Sequence, residues 1–326
     1  MIAPISTYPF SLWERGAAII AFAFLFLSVP AHAAEKVLDV QVIKSPAGIE
    51  AWLVEDHSVP VISVNFSFEG GLALDPANKP GVGRLVSILL DEGAGDLDSQ
   101  GFQEKLSENA ISLSFSSGRD DFTGQLKTLT AHQDTAFDLL TLALTKPRFD
   151  KDAITRMKNA NTSGIKDDLG DPSWLVARTF NGMLFAGHNY ARPGYGHLAS
   201  MESITRKDLV DFTARQFTRN GLKVAIAGDI TKDAAAAMLD LIFGALPEKP
   251  APPLPQTGHT NLKHGGKIIL LPIDTPQTYI SAGSEGISHH DKDWHAAVVM
   301  NYILGGGAFD ARLMKEIREK RGLTYG

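Results

Sequence analysis

The sequence, 326 residues long, contains no cysteine. That removes disulfides, thiolate metal sites, cysteine nucleophiles and a lipidated N-terminal cysteine from consideration. It also lacks a basic block: 31 Lys and Arg stand against 37 Asp and Glu, for a net charge of −6. Without a Lys/Arg-rich face or a recognisable motif, the chain gives no support to nucleic acid as a partner. No G-x-S-x-G element occurs, and no serine triad is credible. Any metal site would have to come from the 10 histidines and the carboxylates. Of these, His289, His290 and His295 have no intervening Glu at metal-binding spacing, and with Ser288, Asp291 and Asp293 they read as a solvated helix start. His132 and His188 are isolated.

What is present is ordinary for a globular chain with substantial cores: 44% hydrophobic and 21% charged residues. The length suggests about two domains. At the N-terminus, Arg15 precedes an uncharged apolar run from Ala17 to Val29, and Pro30 leads into the small-x-small stretch Ala31-His32-Ala33. This run is shorter than the ~20 residues of a spanning helix and fits a secretory signal. Residues 1–33 are therefore expected to be a cleavable signal peptide, with export and a mature chain starting near Ala34.

Alternation marks strands at 61–68 and 111–116, and apolar residues at helical spacing mark a helix over 82–92, stopped by Gly93. Further helices are expected at 133–145, 150–168, 173–186, 206–218 and 231–244, with a strand at 222–227. Trp174, Phe180 and Phe185 fit core positions. Strands and helices clustered this way predict an α+β sandwich, a mainly antiparallel sheet packed with helices. Between Pro247 and Pro255, five of nine residues are proline, a semi-rigid spacer. The expected domains are thus 34–246 and 266–326, joined by a linker at 247–265. The second begins to repeat the first: a strand at 277–283, then Glu285-Gly286, then a helix ending near Leu304. It stops after about 60 residues, so it reads as a truncated copy.

The stretch from Gly81 to Glu92, GVGRLVSILLDE, resembles the signature helix of the insulinase (pitrilysin) zinc peptidases, G-L-A-H-x-x-E-H. In that family two His one turn apart bind zinc and the Glu activates water. Aligned on Gly81-Val82-Gly83, those positions fall on Arg84, Ser87 and Ile88, which supply neither ligand nor base. The family's third ligand, a Glu some 75 residues on, falls at Gly164. The resemblance continues through GLALDPANKPGVG, the helix before Asp171-Pro172, YARPGYGHLASMESITRKDLVDFTARQF and LKVAIAGDI. It implies tandem homologous domains and no metal held by this chain. The 82–92 stretch is then better read as a plain core helix.

A second motif of the family is resembled at the C-terminus, where Arg318 is followed seven residues later by Tyr325 in Gly-Leu-Thr-Tyr. The resemblance implies that Arg318 binds a substrate carbonyl and Tyr325 stabilises the oxyanion. Without it, the same residues read as a charged helix end, with Lys320 and Arg321 at its negative pole, followed by a buried strand tyrosine. Gly305, Gly306 and Gly307 resemble the family's glycine-rich loop and are candidate contacts to a peptide backbone, although helix termination explains them equally well. No Lys-Ser/Thr follows them, so they are no phosphate loop. The function expected on this basis is a non-catalytic subunit of a periplasmic heterodimer, without its own cofactor, facing a zinc-bearing homologous partner and a peptide substrate. The alternative is an inert peptide-binding or structural homologue.

Overall fold

Alternation of apolar and polar side chains builds one six-stranded sheet. The computed structural model describes residues 38–250, 253–254, 265–307 and 309–325. The signal-like segment, the start near Ala34 and most of the proline-rich linker lie outside the described residues. The strands are β1 (Gln41–Lys44), β2 (Glu50–Glu55), β3 (Val61–Glu69), β4 (Ser112–Ser117), β5 (Asp121–Leu129) and β6 (Lys223–Gly228). Their order is β1-β2-β6-β3-β5-β4. Only β2 and β6 run parallel; every other neighbouring pair is antiparallel.

Eight helices accompany the sheet among the described residues: α1 (Val82–Ser87), α2 (Ser99–Glu108), α3 (Gln133–Thr145), α4 (Lys151–Asp168), α5 (Pro172–Leu184), α6 (Leu198–Ser203), α7 (Arg206–Gln216) and α8 (Lys232–Phe243). Their starts follow capping chemistry: Asp98 accepts from Gly101 N at 2.9 Å, and Asp171 caps a helix with Pro172 in its first turn. One face of the sheet is buried under helices through Leu53, Val64, Phe66, Phe122 and Ile226. The other presents Asn65, Ser114, Thr123, Gln125 and Lys223, beside a half-exposed Trp52. One covered and one wet face is what an antiparallel sheet allows. The chain is an α+β protein, as the sequence predicts.

The core centres on phenylalanine. Phe66 meets Phe243 at 5.3 Å between ring centroids, and Phe217 stacks on Phe68 at 4.9 Å. Such offset and edge-on pairs add to the stabilisation from burial alone. Gly124 of β5 lies opposite Phe66 of β3 and Phe115 of β4. The Phe66 ring covers the bare Cα of Gly124 so closely that a Cβ there would overlap it.

Four expectations are corrected. The helix predicted over 82–92 ends at Ser87, because the Ser87 hydroxyl donates to the Arg84 carbonyl at 2.8 Å and competes with the backbone ladder. Single turns follow, with Leu89 N bonded to Val86 O and Glu92 N to Leu89 O. Trp174, Phe180 and Phe185 are half-buried instead of core residues, since α5 buries no residue against the helical layer. Phe180 is met instead by the backbone at Gly283, where a Cβ would stand 2.8 Å from its Cζ.

The strand expected at 277–283 does not form among the described residues, and Ile280 is 84% exposed. An extended segment gains ladder hydrogen bonds only when it pairs with a neighbouring strand, and among the described residues none pairs with this one. The same holds for Leu323–Tyr325, where a strand was expected to start. The helix beyond the linker, α9 (Trp294–Asn301), continues through Tyr302–Gly306 with wider turns and buries no residue. Among the described residues no helix is long and apolar enough to cross a membrane.

The close approach of Phe66 to Gly124 yields a stability prediction. Gly124→Ala should cost about 1–3 kcal/mol, the usual range for overpacking a filled core. Urea denaturation should show a lower midpoint with an unchanged slope; an unshifted midpoint would mean that the ring relocates freely.

Candidate functional site

The helix that matches the zinc signature is held in place by a carboxylate. Asp75 follows the short helical turn Leu72–Leu74, and its side chain accepts from Gly81 N at 2.6 Å and Gly83 N at 2.8 Å. These are orphan donors at the start of α1, satisfied from six and eight residues upstream instead of from the usual capping position. Gly81 takes φ 99°, a left-handed conformation that favours glycine. The backbone leading to Asp75 is clamped in turn. Arg192 donates to Asp75 O at 2.6 Å, Arg215 to Leu74 O at 3.1 Å and Asn189 to Ala73 O at 2.7 Å. Burial pushes the Asp75 carboxyl up to about 6, against the opposing pull of the Gly83 and Gly81 N–H groups and of Arg192 and Arg215.

At the signature positions themselves, nothing suits a metal. Arg84 lays its guanidinium over the Tyr195 ring, 5.1 Å from the centroid. Ser87 is buried with its hydroxyl turned back to Arg84 O, and Ile88 packs against the hydrophobic core. Gly164 on α4, at the third-ligand position, has open space where a side chain would stand. A cation, a committed hydroxyl, an alkyl group and a missing side chain do not fit zinc. No group of three His, Cys, Asp or Glu among the described residues is placed to hold a metal ion. His289 and His290 bring their rings to 3.7 Å from each other, and the His188 ring accepts from Tyr190 N at 3.1 Å.

Near the C-terminus, the structure brings Arg318 and Tyr325 to one open recess of about 510 Å³, lined also by Phe309, Glu319, Gly322 and Thr324. Gly322, at φ 61°, ends the helical turns around Met314–Glu319 and donates to Arg318 O at 2.9 Å. The chain then doubles back, with Leu323 N bonded to Ile317 O at 3.1 Å. Lys320 and Arg321 pair with Glu316 at 2.5 and 3.2 Å, which holds the Glu316 carboxyl below the usual range. Arg318 takes no part in that cluster and stacks 4.4 Å from the Phe309 ring centroid. Tyr325 is 87% exposed, in place of the buried strand tyrosine of the alternative reading. Gly305, Gly306 and Gly307 are not in this recess. A Cβ would meet Leu313 Cδ1 at 3.0 Å from Gly305, Asn301 Nδ2 at 2.7 Å from Gly306 and Tyr302 O at 2.7 Å from Gly307, so close packing at the helix end already accounts for glycine there.

Two family models match successive parts of the chain. Residues 51–173 match the insulinase (peptidase family M16) model, and residues 203–326 match the peptidase M16 inactive domain model. The chain belongs to the M16 peptidase family. It is 30% identical over 272 residues to the non-peptidase homolog YmxG of Helicobacter pylori, an alignment covering 83% of this chain and 62% of that protein. It is also 33% identical over 165 residues to an uncharacterized zinc protease of Mycobacterium tuberculosis, covering 49% of this chain and 36% of that one. The chain thus spans less than two thirds of the length of these relatives. A crystal structure of a peptidase M16 inactive domain from Pseudomonas fluorescens superposes with a TM-score of 0.74 at 28% identity, covering 89% of this chain and 70% of that one. This M16 member therefore carries Arg84, Ser87 and Ile88 at its signature positions, none of which can hold zinc.

Sequence reasoning missed Asp75, Asn161 and Tyr195. Asn161 on α4 donates to Tyr195 O at 2.8 Å and so fixes the backbone that carries the ring stacked on Arg84. The only linear signal for Asp75 was its place before Pro76, too far from α1 to read as a cap.

The raised carboxyl of Asp75 predicts a pH dependence. With a folded value of about 6 against 3.8, the group favours the native state fully below the lower value and loses that contribution as pH rises through the upper one. Relative to Asp75→Asn, which does not titrate, the protein should lose about 3 kcal/mol between pH 3.5 and pH 7. Urea unfolding across that range measures the difference; a constant difference would show that Asp75 ionises normally.

Proposed function

We propose that this M16 chain is the non-catalytic subunit of an exported, periplasmic heterodimer with a zinc-bearing homologue. Its part is to contribute Arg318 and Tyr325 to the cleavage of peptides. The observation that carries the reading is the pairing of losses and retentions in one chain. The signature helix offers Arg84, Ser87 and Ile88 where a metal would need ligands, while Arg318 and Tyr325 share an open recess. In this role Arg318 donates to a substrate carbonyl, and the Tyr325 hydroxyl donates to the oxygen that gains negative charge. The partner's metal supplies the activated water. Donors fixed before charge develops stabilise a transition state by ~3–4 kcal/mol each. Phe309 beneath the Arg318 guanidinium would hold it in orientation. The Gly305–Gly307 stretch is proposed as a secondary peptide contact, and the apolar run before Ala34 as the export signal.

A second reading, an inert peptide-binding or structural homologue, is favoured by the similarity to YmxG, a non-peptidase homolog with 30% identity. Mixing the purified chain with an M16 homologue that carries an intact H-x-x-E-H motif separates the two. Activity that appears only in the mixture supports the first reading; inactivity of chain and mixture alike supports the second. Within an active mixture, Tyr325→Phe should lower turnover about 100- to 1000-fold with assembly unchanged. Undiminished turnover would remove Tyr325 from the mechanism.

A further inference from the structure

Arg84 is a cation without a counter-charge. Its Nε is buried and has no hydrogen-bond partner, and no carboxylate among the described residues pairs with it. The contact it does make is with the Tyr195 ring, at 5.1 Å. That ring is 49% exposed and Arg84 itself is part-exposed, so the stacked pair borders solvent. The platform is not loose: Asn161 holds the Tyr195 carbonyl at 2.8 Å and also reaches Met201 Sδ at 3.1 Å. One turn along the same helix from Asn161, Gly164 leaves open space. A second orphan lies at the neighbouring strand end. Ser117 Oγ is buried without a partner, and a Cβ at Gly83 would stand 2.8 Å from it.

A guanidinium presents five donors in a planar fork that matches a carboxylate two bonds at a time. Stacked on an aromatic ring, it loses little further freedom on binding. Leaving such donors unsatisfied costs free energy that an incoming anion recovers.

We infer that Arg84 is a carboxylate-binding site: the guanidinium on Tyr195 takes a peptide carboxylate, from a chain terminus or from an acidic side chain. The occupant is a carboxylate because the fork is planar and bidentate, and a peptide because the proposed function gives this chain a peptide substrate. The second point rests on that reading, but the site does not require a partner subunit or Arg318 and Tyr325 to act.

The test uses the purified full chain and a dansyl-labelled decapeptide in three forms: free α-carboxylate, C-terminal amide, and amide with a Glu at the last position. Fluorescence anisotropy should show the free acid bound about tenfold more tightly than the plain amide. Arg84→Gln should abolish that preference and Arg84→Lys should keep part of it. Tyr195→Leu, which keeps the charge and removes the platform, should reduce it about threefold. Circular dichroism of each variant reports the fold, and the Lys and Leu variants decide the matter if the Gln variant does not fold. Tight binding of the Glu peptide assigns the site to any carboxylate; weak binding assigns it to the chain terminus. Equal affinity for acid and amide, no binding of either, or a preference that survives these substitutions overturns the inference. Because no turnover is measured, loss of this site and failure of the subunit reading are distinguishable.

Discussion

Strand β6 is the constraint on which the rest of the structure depends. It lies between β2 and β3, parallel to one and antiparallel to the other, although about 150 residues separate it from β3 in the chain. Until β6 is in place, β1 and β2 have no connection to the remaining sheet. Its residue Ile226 is registered against both Leu53 and Val64, so one side chain joins two halves of the core. The exit from the strand is equally specified. Gly228 has φ 127° because the Val61 carbonyl fills the space of a Cβ. Asp229 then bonds His57 at 2.7 Å and Thr130 at 2.8 Å, tying three loops at one end of the sheet. Within the long span between β3 and β6, α1 is held between β4 and α7.

That arrangement separates position from chemistry. The hydrogen bonds that aim α1 come from Asp75, Arg192, Arg215 and Asn189. None of these stands at a metal-ligand position. The helix can therefore lose every group that would touch a metal and still be delivered to the same place. The C-terminal region has no such bracket. α9 buries no residue, and Arg318 and Tyr325 are held by local turns and one ring.

How much of this could be read from the sequence depended on the length and purity of each pattern. Val61–Glu69 alternates over nine residues and was legible. β5 is as long, but Gly124 and Thr128 occupy two of its inward positions and break the apolar repeat. β2 escaped because only Ala51 and Leu53 face inward, while Trp52 points to solvent. α2 escaped because Phe102 and Leu106 are its only buried residues. Trp174, Phe180 and Phe185 look like core by composition, yet composition does not say which layer an element joins. The emptied metal positions were legible because absence of a donor is a property of residue type. The bracket around α1, the Tyr195 platform and the Phe309 support depend on residues far apart in the chain, which no local pattern reveals.

The present contacts of Arg84 and Ser87 bear on how a lineage like this one evolves. A divalent ion is retained only when several donors grip it together, so one restored histidine gains nothing by itself. Each such change would also forfeit something now in use: the stacking on Tyr195 at position 84, the self-bonded hydroxyl at 87, the apolar packing at 88. A fourth change, at Gly164, would still be required. A metal site at this helix would therefore need several changes made together, each of which alone removes a contact that the present structure uses.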